Sequence, residues 1–436
     1  MIWLILIIAF ALRLVGLNQS LWLDEAISAN VSALPIKDIV TNFSVNDFHP
    51  PLYYCFLHLW QNIGGKDVFF LRLSSVLFSL ITIYVVYLIG KKLQDQNTGL
   101  WAAIFLAVNP LFVYFSQELR MYAMATMWLT LALLFFLKIK DDKYNSVDLF
   151  LYNLMACLAF HTFYGSIFLL VAMAIYSFFK SDKKTFLLTN IGILIAIISI
   201  WPLLKIQLHN STLSLGSVAN WSLVLGKVNL KNLLLIPLKF SLGKISWYPK
   251  YSYYLIGGIW TLIIAYFLSK SNPKINWLKI ILILPIILAT LFSLKSPLLQ
   301  YFRFIYLLPI VAIILSINVT PRRNKILIGG IFLIFTLIYL LNPHFHREDW
   351  QAVAQTLHPG QNVYMIASFS DPLKFYQSEV HIIDSKTQTP TENNLLVIPY
   401  GEIIHGLNHH QILTELGYTQ NNEHNFREIT VSEWSR

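Results

Sequence analysis

The 436-residue chain is 56% hydrophobic and only 12% charged, with a formal net charge of +10, against the roughly 25% charged share of soluble domains. Such a balance excludes an ordinary soluble protein and points to several membrane spans. The positive charge does not indicate nucleic acid, because no basic run is interleaved with aromatics, and the two cysteines, Cys55 and Cys157, lie in apolar sequence and supply neither a disulfide framework nor a CxxC metal knuckle.

The opening run MIWLILIIAFAL lacks the basic flank and small-residue cleavage site of a signal peptide and meets Arg13 before it ends, so a retained first helix is expected over 1–17. Further apolar windows follow at 68–90, 99–115, 119–137, 147–163, 164–180, 185–204, 251–268, 277–294, 301–318 and 324–341. Measured against the roughly 20 residues that cross a bilayer, these make about eleven spans.

The charges between the windows fit that register. Alternate loops carry Lys91 and Lys92, then Lys138, Lys140 and Lys143, then Lys180, Lys183 and Lys184, then Lys270, Lys274 and Lys279, then Arg322, Arg323 and Lys325. The opposite short loops hold only Arg120, Lys295 and Arg303. The positive-inside bias therefore predicts a cytoplasmic N-terminus and an extracytoplasmic C-terminal region, in a multi-pass protein of the inner (plasma) membrane.

Two outer segments exceed simple connectors. In 18–67, the spacing of Trp22, Ile27, Val31, Leu34, Ile39, Val40 and Phe43 suits a helix lying along the interface. In 205–250, Trp221, Trp247 and Tyr248 among lysines suit a platform anchored at headgroup depth. From 342 onward the pattern changes to that of an α/β module: REDWQAVAQTL as helix, HPGQ as turn, NVYMIA as strand, DPLKFYQS as helix, EVHIID and NNLLVIPY as strands. Its histidines (His344, His346, His358, His381, His405, His409, His410 and His424) match no zinc spacing and read as a solvated surface. The predicted architecture is an all-α polytopic membrane domain over 1–341 and a small C-terminal α/β extracytoplasmic domain over 342–436.

With this topology, chemically active side chains gather at one edge of the bilayer. Asp24 and Glu25 follow the first span; FHPPLYY (48–54) lies in the first outer loop; SQELRMY (116–122) turns between two spans; HTFYG (161–165) ends another; and QYFRF (300–304) opens one more. Ionisable groups near a membrane tend to pair or to line a watery cavity. Asp24, Glu25 and Glu118 are candidate acids: one to deprotonate a hydroxyl, the others to orient it or hold a divalent cation, with Asp24 and Glu118 as metal candidates. Adjacent residues do not share a helix face, so Glu25 reads equally as a solvated neighbour. Arg303 and Arg120 carry planar forks suited to phosphate oxygens, with snorkelling to headgroups as the plainer alternative. Arg13 is placed to neutralise the acid pair. The two prolines behind His49 stiffen the bend that presents it, although the same pair also reads as a helix start; His161 reads as a satisfied helix-end residue.

The segments RLVGLNQSLWLDEAISA (13–29), FHPPLYY (48–54), LRLSS (71–75), NPLFVYFSQELRMYAM (109–124) and QYFRFIYLLP (300–309) together resemble the GT-C class of membrane glycosyltransferases, in the branch of the protein O-mannosyltransferases and the lipid A aminoarabinose transferase. The resemblance implies a GT-C-like fold and a polyprenyl-phosphate-linked sugar donor. It implies a lipid, glycan or protein acceptor, and transfer with inversion. By position it makes Asp24 the base or metal ligand and Glu118 a second carboxylate, with Arg120, Tyr122 and Arg303 at the donor phosphate. His49 joins this group from the first outer loop. A lipid-linked glycan polymerase or ligase is the nearest alternative. A secondary transporter fits less well, since its binding groups would sit near the midplane on helices broken in paired halves.

Overall fold

In the computed structural model, which describes residues 1–140 and 144–436, every one of those apolar windows holds a helix; the expected loop residue Lys143 lies outside the described residues. The chain begins with α1 (Ile2–Leu14), α2 (Leu23–Ser32) and α3 (Leu52–Gly64). Asp67 caps α4 (Val68–Leu93) by accepting the Phe70 N–H, and Asp95 caps α5 (Gln96–Ala107) through Thr98. Pro110 then stops the helical ladder, so α6 (Pro110–Ser116) restarts under an Asn109 cap at 66° to α5. A turn over 117–121 leads into α7 (Tyr122–Lys140). An Asn145/Asp148 capping box opens α8 (Ser146–Thr162), followed by α9 (Ile167–Lys180) and α10 (Lys183–Ser217).

Among the described residues, seven helices are long and apolar enough to cross a membrane, or up to eight if α5 and α6 form one bent span. The predicted eleven is not reached. At 1.5 Å per residue α1 extends only about 20 Å, short of a hydrocarbon core of about 30 Å. The segment Tyr164–Lys180 is likewise apolar but short, and α8 has 17 residues and opens on Ser146 and Asp148.

The segment over 205–250 departs further from expectation. The 35-residue α10 runs on to Ser217. After α11 (Trp221–Leu225), the run LLLIPLKF forms α12 (Leu230–Leu242), which packs into the bundle against α6 and buries Ile236, Leu238, Phe240 and Leu242. It is a packed helix too short to span, and Leu230 and Leu234 remain exposed on its outer side. The helices α13 (Lys250–Ser269), α14 (Asn276–Ser293), α15 (Leu308–Asn318, preceded by a 3₁₀ helix over Tyr301–Leu307) and α16 (Arg322–Leu341) complete the bundle.

The C-terminal module contains α17 (Trp350–Gln355), α18 (Asp371–Tyr376), α19 (Glu402–His405) and α20 (His409–Glu415) around a five-stranded sheet of order β2-β1-β3-β5-β4. The predicted strands appear as β1 (Asn362–Met365), β2 (His381–Asp384) and β3 (Asn394–Val397), with β1 parallel to both neighbours. The antiparallel hairpin of β4 (Thr419–Phe426) and β5 (Ile429–Ser435) was not predicted, because TQNNEHNF is polar throughout: β4 is an exposed edge strand. The histidines are not uniformly solvated either, for His409 is buried with Nδ1 2.8 Å from Glu402. The module docks on α2, where Trp22, Leu23 and Ile27 join the cluster around Trp350 and Phe369, and Asn30 donates to Asp371.

Candidate active site

Glu25, in the first turn of α2, is the joint on which the site is assembled. Its carboxylate is buried and takes a two-pronged bond from Arg72 of α4, at 2.8 Å to Oε1 and 2.6 Å to Oε2. Oε1 also accepts the Leu119 N–H at 2.7 Å, and Arg347 Nε stands 3.2 Å from Oε2. Burial would raise this carboxyl, but Arg347 and Arg72 outweigh it and hold Glu25 below the usual carboxylate range. Arg72 directs its other hydrogens at the carbonyls of Leu17, Gln19 and Ser20, folding the segment before α2 back onto α4.

Two expectations are corrected here. Glu25 is neither a solvated neighbour nor a free acid, because both its oxygens are engaged by buried cations. Arg13 does not neutralise the acid pair: it donates to the carbonyls of Ala9 and Ala107 and faces the Phe112 ring. Arg72 takes that task, since α4 runs directly past the start of α2.

Asp24 has different surroundings. Its side chain is 38% exposed and lies 3.7 Å from Arg120 Nη2. Arg120 Nη1 reaches the Asp24 carbonyl and Ser28 Oγ at 3.3 Å and the Tyr54 hydroxyl at 3.5 Å. Burial works against the charge on Arg120, but Asp24, Tyr54, Tyr122 and Asp47 overcome it and hold the proton more firmly than usual. The Tyr54 hydroxyl in turn donates to Asp47 at 2.9 Å, and burial raises the Asp47 carboxyl despite the pull of Arg120.

The bend carrying His49 is fastened from an unexpected direction. Gln207, on the stretch of α10 beyond the predicted span, donates to the carbonyls of Ser44 and His49 at 2.6 and 3.0 Å, and Asn210 donates to that of Val45. Burial and the nearby Arg120 and Arg303 push the His49 imidazole well below its ordinary value, against the opposing pull of Asp24. It is therefore neutral at pH 7.

Glu118 sits in the 117–121 turn, whose backbone is tied to α4 by Ser75 Oγ donating to the Glu118 carbonyl at 2.7 Å. Its side chain is 2% exposed and Oε2 has no hydrogen-bond partner. Burial pushes its carboxyl up to about 7, with Arg347, Lys244 and Arg120 pulling downward and Glu25 adding to the rise.

Tyr122, at the start of α7, packs its ring on Phe115, Phe163 and Phe302. Next to Phe302, Arg303 lies within electrostatic reach of Tyr122 and Asp24, and its Nη1 is buried without a partner. Arg303 and His49 border a cavity of about 680 Å³ whose other walls are largely apolar, including Phe160, Phe163, Ile197, Leu288 and Phe292. His49 and Tyr122 each lie within electrostatic reach of Asp24, Arg120 and Arg303, so these five side chains form one group, which touches the cavity through His49 and Arg303, with Glu118 close by.

Among the described residues no group of three His, Cys, Asp or Glu side chains gathers as ligands, and the exposed candidate, Asp24, already faces a guanidinium. Arg72, Arg347, Asp47, Tyr54 and Gln207 were not predicted; of these, Arg72 and Tyr54 lay in stretches the sequence marked for chemistry, LRLSS and FHPPLYY.

A family profile described as dolichyl-phosphate-mannose-protein mannosyltransferase matches residues 48–206. No curated protein matches the sequence. Among solved structures, ArnT from Cupriavidus metallidurans in the apo state superimposes with a TM-score of 0.63 at 12% identity, over 99% of this chain and 97% of that one. The same protein bound to undecaprenyl phosphate gives 0.64 at 11% identity over the same shares. The Archaeoglobus fulgidus oligosaccharyltransferase in its apo form gives 0.52 at 11%, covering 89% of this chain and 65% of that one. At these identities the likeness is one of fold.

Proposed function

We propose that the protein is a membrane glycosyltransferase of the GT-C class, which moves a sugar from a polyprenyl-phosphate donor to an acceptor hydroxyl or phosphate at the extracytoplasmic face of the inner membrane, with inversion. The reading takes 1–341 as the catalytic transmembrane domain, with a cytoplasmic N-terminus, and 342–436 as an extracytoplasmic domain. One observation carries it: a partly exposed carboxylate, Asp24, lies 3.7 Å from the Arg120 guanidinium and within electrostatic reach of Arg303, which borders an apolar cavity. That is the distribution of charge the reaction needs.

In this mechanism the prenyl chain occupies the apolar cavity and its phosphate meets Arg303 and Arg120, with His49 and Tyr122 at its edge. Asp24 accepts the acceptor proton as the oxygen attacks the anomeric carbon. The bond from that carbon to the phosphate oxygen breaks, its electron pair leaves with the lipid phosphate, and the guanidiniums stabilise the departing anion. Attack from the face opposite the leaving group inverts the anomeric configuration. Glu118, near half-ionised at neutral pH, is the second carboxylate that orients the reactants; Glu25 supports both acids and does not react. No step is routed through a metal.

The test is transfer by purified protein from an undecaprenyl-phosphate sugar. Asp24→Asn should abolish turnover while binding undecaprenyl phosphate as the parent does. Full activity in that variant would remove Asp24 from its role, and product with retained anomeric configuration would remove the single displacement.

A further inference from the structure

Among the buried cations to which the proposed mechanism gives no task, Arg347 lies beside the acids. Arg72 alone meets both oxygens of Glu25, so a second guanidinium in that pocket exceeds what one carboxylate requires, and burying surplus charge is costly. Arg347 is nevertheless buried there. Its guanidinium lies 4.6 Å over the Tyr114 ring, and Nη1 and Nη2 each stand 3.4 Å from the Tyr339 hydroxyl and the Tyr114 carbonyl respectively. Its backbone belongs elsewhere: the Arg347 N–H donates to Gln19 at 3.3 Å and its carbonyl accepts from Arg427 Nε at 2.5 Å. Arg427 sits between β4 and β5, and its own carbonyl holds the Asp349 N–H at 3.1 Å. Arg347 therefore has its backbone at the root of the C-terminal module and its side chain in the helical bundle.

We infer that Arg347 is a positioning residue for transfer: docking of the C-terminal module seats its guanidinium between Glu25 and Tyr114, which places the start of α2 with Asp24 and the 117–121 turn with Glu118. The inference rests on the glycosyl-transfer reading above. The path is short, since Glu25 follows Asp24 in the chain and its Oε1 holds the N–H of Leu119, which follows Glu118. Arg347 is also the foremost counter-charge to Glu118, whose other charged neighbours are Glu25, Lys244 and Arg120. Tyr53, Tyr114 and Tyr122 are further titratable groups within electrostatic reach of Glu118. Without Arg347 that set loses a cation, and Glu118 becomes harder to ionise.

The test uses the full chain in nanodiscs with Arg347→Gln and Arg347→Lys. Hydrogen exchange is followed in peptides covering 20–30 and 117–121, undecaprenyl phosphate serves as the binding probe, and kcat and KM are measured against pH. Arg347→Gln should keep the parent's affinity for undecaprenyl phosphate, because Arg303 and Arg120 are untouched. It should exchange faster in both peptides, lower kcat more than it alters KM, and move the acid limb of kcat upward by about half a pH unit or more. Lysine, which keeps the charge, should return the limb to its place. Unchanged exchange in both peptides overturns the inference, as does a lowered kcat whose acid limb stays fixed. If Arg347→Gln does not fold, Arg427→Ala removes only the outer fastening and should give the same pattern more weakly; no change in it also overturns the inference. Failure of the parent itself to bind undecaprenyl phosphate would count against the donor reading, and the exchange measurements would still decide the role of Arg347.

Discussion

Two neighbouring carboxylates should respond to amide substitution in opposite ways. Glu25→Gln removes the negative charge in contact with the guanidiniums of Arg72 and Arg347, which lie 2.6 and 3.2 Å from its oxygen with side chains 0% and 1% exposed. Removing one partner from such a buried set costs about 3–5 kcal/mol, and weakening the bond to the Leu119 N–H adds about 1 kcal/mol. At about 2–4 °C per kcal/mol for a large domain, the unfolding midpoint should fall by about 10–20 °C. Asp24→Asn breaks a contact of 3.7 Å in which the acid is 38% exposed; exposed pairs contribute about 0–1 kcal/mol, so its midpoint should shift by no more than a few degrees. Thermal unfolding of detergent-solubilised protein, followed by tryptophan fluorescence beside a transfer assay, separates the two. Asp24→Asn should be inactive but stable, and Glu25→Gln unstable. Equal midpoints for the two variants would refute the division of labour.

Other consequences are as direct. Arg303→Ala should weaken undecaprenyl phosphate binding about 10- to 100-fold, the share of a charged hydrogen bond; titration showing parental affinity would reject it as a phosphate contact. Glu118, raised in the fold from 4.5 to about 7, favours the protonated form more than the unfolded chain does. Its stabilising contribution is therefore full below about pH 4.5 and lost as pH climbs through about 7. Glu118→Gln should flatten the fall of the unfolding midpoint between pH 5 and 8, and an unaltered slope would contradict the assignment. Gln207→Ala leaves the carbonyls of Ser44 and His49 without their donor, at about 1–3 kcal/mol for a buried group. Limited proteolysis within 44–50 should accelerate, and an unchanged cleavage rate would count against Gln207 as the fastening of the His49 bend.

The helical bundle was legible in the sequence because apolar windows and lysine-rich loops report on the bilayer directly, residue by residue. Asp24, His49, Arg120 and Arg303 were legible for the same reason: charge beside an apolar run stands out. What escaped notice depends on pairing across the chain. Nothing local to Arg72 or Arg347 announces Glu25 as their shared partner, and REDW reads as the start of a helix wherever it occurs. The segment forming α12 carries Pro237 and Lys239 and is shorter than a span, so its hydrophobicity was credited to an interface. Gln207 was hidden by a correct rule applied too early, for the apolar signal of α10 ends near 204 while its hydrogen-bond ladder continues to Ser217.

That continuation ties the chemistry to the thickness of the membrane. Measured from Lys183 at 1.5 Å per residue, Gln207 stands about 36 Å up the helix axis, a few ångströms above a hydrocarbon slab of about 30 Å. On the proposed topology a helix of this length, with Pro202 inside it, stands straighter in a thicker bilayer and tilts in a thinner one. On the proposed reaction the height of the His49 bend over the lipid surface follows, and with it how deeply the acceptor would have to dip among the headgroups. Lipid composition is on this account a variable of turnover in its own right, adjustable without altering a single side chain.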